Sequence, residues 1–138
     1  SSTSRITRGI PAAPWRIAGI IAMPPQGACR EVGASIALAD GTGLALIAQN
    51  MGGTSVSASV VVIAKDGQRG AMLEGVKSVK TGDQGWPVEI TCQRGNLSFS
   101  IGGAGFNPIQ LTVEPVALAL TVTKGAILVR QLTIATAE

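Results

Sequence analysis

At 138 residues, with 46% hydrophobic content drawn mainly from Ala, Val, Ile and Leu, the chain is long enough for one domain with a real core. It has no histidine and no tyrosine, which excludes histidine-based acid–base chemistry and histidine metal ligation. The net charge is only +3, and the longest apolar stretch, Ile17 to Met23, stops at Pro24-Pro25, far short of the roughly 18 residues of a membrane-spanning helix.

Residues 1–14 read as a basic, proline-containing arm, because Pro11 and Pro14 limit regular structure. Residues 15–138 read as a single all-β domain. WRIAGIIA, residues 15–22, is its first apolar strand. In REVGASIALADGTGLALIAQN, Val32, Ala34, Ile36 and Leu38 recur at period two, the spacing of a half-buried strand. Asp40-Gly41 then turns the chain into a returning strand from Leu44 to Gln49. The next hairpin sets Val56, Ala58, Val60 and Val62 on one face and serines on the other, with a turn at Lys65-Asp66-Gly67. Gly70 and Gly75 argue against a helix over residues 71–76.

A third hairpin, PVEITCQRGNLSFSI, places Val88, Ile90 and Cys92 on the inward face, together with Leu97, Phe99 and Ile101. GGAGFNP then reads as a loop that exposes Phe106. In IQLTVEPVALALTV the apolar parity changes from odd to even at Glu114-Pro115, as a β-bulge or a corner would require. A last strand follows Lys124-Gly125 and ends near Ala135. The pattern predicts a β-sandwich or barrel-like fold of about nine or ten short, mostly antiparallel strands.

Chemistry-bearing motifs are sparse. GDQGWPV, residues 82–88, resembles the GDSGGPV signature around the nucleophile of chymotrypsin-like proteases. Gln84 stands where the serine belongs, Trp86 replaces a glycine, and no histidine can take the proton, so the segment reads as a turn entering a strand. MGGT and IGGAG lack the Gly-Lys-Ser/Thr ending of a phosphate loop. Three of the eight acids, Asp40, Asp66 and Asp83, sit beside glycines in turns. The sequence therefore predicts no enzyme, no catalytic residue, no cofactor and no metal site.

Cys29 and Cys92 fit no zinc spacing and form a candidate disulfide. Closing that loop of about 64 residues would contribute roughly 4 kcal/mol in the chain-entropy picture. With a first residue other than methionine, it predicts an extracellular, periplasmic or particle-surface location. Trp15, Ile17, Ile20, Trp86 and Phe106 are candidate interface residues, and the 15–22 strand is a candidate for exchange with a neighbouring chain. Arg5, Arg8 and Arg16 precede the first acid, Glu31, and are candidate anion contacts.

From these features the leading expectation is an assembly subunit of a larger complex, such as an envelope appendage, a secretion apparatus or a virion. It would engage protein partners in a homo- or hetero-oligomer through strand edges and loops. One alternative is a small ligand- or glycan-binding β-domain with Trp86 and Phe106 at its rim. The other is a capsid-type protein that contacts nucleic acid through its arginine-bearing arm.

Overall fold

The computed structural model describes residues 3–12, 14–22, 31–50, 55–80, 85–123 and 128–136. Twelve strands occupy these residues: β1 (Thr3–Gly9), β2 (Trp15–Ala22), β3 (Glu31–Leu38), β4 (Gly43–Asn50), β5 (Ser55–Ile63), β6 (Arg69–Lys80), β7 (Trp86–Gln93), β8 (Asn96–Ile101), β9 (Ala104–Gly105), β10 (Ile109–Gln110), β11 (Pro115–Thr123) and β12 (Leu128–Thr136). They form two antiparallel sheets. Sheet A runs β1-β11-β3-β4-β5-β6, and sheet B runs β10-β8-β7-β2-β12 with β9 beside β8. The all-β sandwich read from the alternation is the observed fold, with more strands than the nine or ten expected.

The core lies between the sheets and follows the pleat. Sheet A contributes the even positions Val32, Ala34, Ile36, Leu44, Leu46, Val56, Val60 and Leu118. Sheet B contributes Trp15, Ile17, Ile21, Val88, Ile90, Cys92, Leu97, Phe99 and Ile101. Burying each large aliphatic or aromatic side chain is worth about 1.5–3 kcal/mol, and this is the main force holding the sheets face to face. The turns use the expected chemistry: Asp40 Oδ1 accepts from the Thr42 amide at 2.9 Å, and Asp66 Oδ1 accepts from the Gln68 amide at 2.9 Å. The expected change of parity appears as a register shift between Pro115 and Ala117 in the β11–β3 pairing.

Three expectations are corrected. The first residues are not a free arm, because Thr3–Gly9 pairs along β11 as an edge strand of sheet A. Paired β-bonds to β11 suit this Pro-free stretch, and the prolines that limit structure begin only at Pro11. The 15–22 strand is no edge offered for exchange, because β2 is paired with β7 on one side and β12 on the other. Phe106 is not exposed: its amide donates to the Phe99 carbonyl at 3.0 Å, which folds the loop over sheet B and turns the ring inward, where it is 6% exposed.

Candidate functional site

Every second side chain of each sheet points away from the core, so the molecule has two outer faces, and they differ sharply. On sheet A the outer positions Ala45, Ile47 and Val61 are buried and form a second, small apolar cluster with Ile63 packed against it. Gly33 makes room for it, because a Cβ there would stand 2.6 Å from Thr121 Oγ1 and 3.2 Å from Ile47 Cδ1. A strap closes this face. The Arg69 guanidinium of β6 pairs with the Glu31 carboxylate of β3, with one contact at 3.1 Å, and Gln49 Nε2 donates to the same carboxylate at 3.0 Å. β4 and β5 lie between those two strands, and the register sets Glu31 opposite Gln49 but Arg69 opposite Ile63 and Gly43, so the pair reaches diagonally across the sheet. Side chains close such a gap only where the sheet bends toward that face.

On sheet B the outer positions around the β7–β8 hairpin are polar. Arg16, Thr91 and Ser98 are register partners in one row across β2, β7 and β8, and Gln93 pairs with Asn96 in the next. Opposed side chains in such rows have Cβ atoms about 4.5–5.5 Å apart, so these groups converge. Thr91, Gln93, Arg94, Asn96, Ser98 and Pro108 line an open groove of about 620 Å³. That lies within the roughly 300–1,000 Å³ of ligand sites. Among the described residues the lining offers two hydroxyls, two carboxamides and a guanidinium, and no carboxylate.

The hairpin tip that borders the groove is unusual. Arg94 has φ 51° and Gly95 has φ 76°, the two positive values of the tightest two-residue hairpin turn. Glycine takes that conformation freely, whereas an arginine in the left-handed region costs about 1–2 kcal/mol. Arg94 is the one non-glycine residue with positive φ among the described residues. Beside the groove, Arg16 Nη2 donates to Glu89 Oε2 at 2.7 Å, which holds the Glu89 carboxyl below the ordinary carboxylate range and raises the Arg16 guanidinium.

The expected site residues are dispersed. Trp15, Ile17, Trp86 and Phe106 are buried in the core, and only Ile20 of the nominated interface set is half-buried on the outer face of sheet B. The rims assigned to Trp86 and Phe106 are therefore corrected: the rings fill the space between the sheets, because so few aromatics are available to fill it. The arginines form no common patch. Arg5 and Arg8 lie on β1 in sheet A, and Arg16 lies on β2 in sheet B, engaged by Glu89. Cys92 carries a free thiol buried in the core, and burial pushes its pKa up; Cys29 lies outside the described residues. Among the described residues no cluster of acids, cysteines or histidines could hold a metal, and no helix is long and apolar enough to cross a membrane.

Thr91, Gln93, Asn96 and Ser98 escaped the sequence reading. Their signal was present as the polar phase opposite Val88, Ile90 and Cys92, flanking the QRGN turn.

No family model matches the sequence, and no curated protein sequence matches it. Solved structures do match its fold. A tetrameric galectin from the ball sponge Cinachyrella sp. is 10% identical with a TM-score of 0.64, over 98% of this chain and all of that one. A toad ovary galectin solved with thio-digalactose is 15% identical with a TM-score of 0.58, over 97% of this chain and 98% of its own. The carbohydrate-binding module CBM66 of Bacillus subtilis is 12% identical with a TM-score of 0.59, over 97% of this chain and 82% of its own. These neighbours overturn the expectation of an appendage, secretion or virion subunit: the architecture is that of galectins and a carbohydrate-binding module.

Proposed function

We propose that this chain is a glycan-binding β-sandwich domain, acting by binding and not by bond-making, and that its site is the groove on the outer face of sheet B. The observation that carries the reading is the match of fold along nearly the whole chain to a galectin bound to thio-digalactose and to a carbohydrate-binding module. The groove supports it by its chemistry. Sugar hydroxyls are recognised by converging donors and acceptors, and Thr91, Gln93, Asn96 and Ser98 supply both kinds from two adjacent strands. The four aromatic rings lie in the core, so recognition here rests on hydrogen bonds and not on ring stacking. An extracellular location would suit this role, and so would self-association, the sponge galectin being tetrameric.

The test is a glycan array probed with the intact chain, followed by calorimetry on the best binder with the Gln93→Ala/Asn96→Ala double variant. Each lost hydrogen bond is worth about 0.5–1.5 kcal/mol, so the double variant is expected to bind about tenfold more weakly. An array without a binder, or an unchanged affinity in the variant, would contradict the proposal.

A further inference from the structure

We infer that the groove on sheet B selects acidic saccharides, those bearing a carboxylate or a sulfate, and that Arg94 is the residue that reads the charge. This rests on the glycan-binding reading and deepens it.

Four observations converge on Arg94. It stands at the lip of the groove with an exposed side chain. Among the described residues it makes no ion pair and no hydrogen bond, so its five N–H donors are available. Among the described residues no carboxylate lines the groove to neutralise it. The nearby acids are engaged or lie elsewhere: Glu89 is held by Arg16, and Glu114 lines a second cleft of about 230 Å³ with Gly95 and Leu111. Finally, its backbone occupies the left-handed region, where asparagine or glycine would rest with less strain. A strained residue whose side chain has no partner within the fold is the kind of feature that ligand sites retain.

The chemistry then follows from the lining. A guanidinium offers a planar fork that matches two oxygens of a carboxylate or a sulfate. Gln93 and Asn96, the register pair on either side of the Arg94-Gly95 turn, can take ring hydroxyls with their carboxamides, while Thr91 and Ser98 add hydroxyls on the register row that begins at Arg16. A neutral sugar would meet the same hydroxyl and amide groups but leave the fork unmatched.

The experiment compares three oligosaccharides of equal length by calorimetry with the intact chain: one containing glucuronate, one sulfated and one uncharged. At low salt the acidic probes are expected to bind about tenfold or more tightly than the uncharged one, and the gap should narrow as salt rises. A preference for glucuronate alone, or for sulfate alone, identifies which anion the fork takes and supports the inference. Arg94→Gly should remove the preference while raising the melting temperature, because glycine relieves the backbone strain; loss of binding through unfolding is thereby separated. Equal affinity for charged and uncharged probes, or an Arg94→Gly variant that keeps the preference, overturns the inference and leaves the glycan reading standing. If no saccharide binds, both fall.

Discussion

The outer faces of the two sheets obey the same period-two rule and end in opposite states. On sheet A the outward residues at the centre are Ala45, Ile47 and Val61, which are buried, and the Arg69–Glu31 strap spans the same face. On sheet B the outward residues beside the β7–β8 turn are threonine, serine, glutamine and asparagine, and the surface there stays open as a groove. An apolar outer face gains by curling on itself, since covering it removes apolar area from water at about 25 cal/mol per Å². A polar outer face gains nothing from closure, because its hydrogen bonds to water would be lost. The composition of the outward phase thus separates a covered face from an open one.

That contrast can be broken by substitution. The largest effect should come from Ile47→Ala, which is expected to cost about 2–4 kcal/mol although the residue faces away from the main core. Thr91→Ala, at an outward position of sheet B, should stay within about 0.5 kcal/mol. Urea unfolding of the two variants measures the difference, and similar values would remove the distinction between the faces. Next, Gly33→Ala should cost about 1–3 kcal/mol by pushing against Thr121 and Ile47.

Cutting the strap with Glu31→Gln sharpens the comparison. The Arg69 side chain is 46% exposed and that of Glu31 15%, so solvent screening limits the loss to about 1 kcal/mol. Binding of a hydrophobic dye should nevertheless rise as the apolar cluster opens; a dye signal equal to that of the parent would show that the strap covers nothing.

The smallest effect is set by pH. The Arg16 hydrogen bond depresses Glu89, and hydrogen bonds from Thr42 depress Asp40. The unfolded chain therefore takes up protons first as pH falls, so this stability is complete above the ordinary carboxylate range and is lost below it. Glu89→Gln should flatten the fall of melting temperature between about pH 5 and pH 3 only slightly, because solvent screens a pair this exposed. An unchanged profile would mean that the pair contributes nothing measurable.

Much of the fold was legible in the sequence, because period-two alternation and Asp-Gly turns are local signals. The parity change before Val116 even located the irregularity in β11. What escaped depends on contacts distant in sequence. β1 is made a strand by β11, more than a hundred residues later, and its own sequence carries no apolar alternation. Phe106 looks exposed in a Gly/Asn/Pro loop until the loop folds back on Phe99. The strap joins residues 38 apart, and the groove needs β7 and β8 in register with β2. Aromatic residues were the natural first guess for a binding surface, but a chain with two tryptophans and two phenylalanines spends them between the sheets.

The central claim is that a saccharide binds on sheet B. Titrating an isotope-labelled chain with a glucuronate-containing oligosaccharide while following backbone amide shifts tests it most directly. The account predicts that the shifts concentrate at Thr91, Gln93, Arg94, Asn96 and Ser98 and leave Ala45, Ile47 and Val61 unmoved. Shifts centred on β4 and β5, or none at saturating sugar, would contradict it.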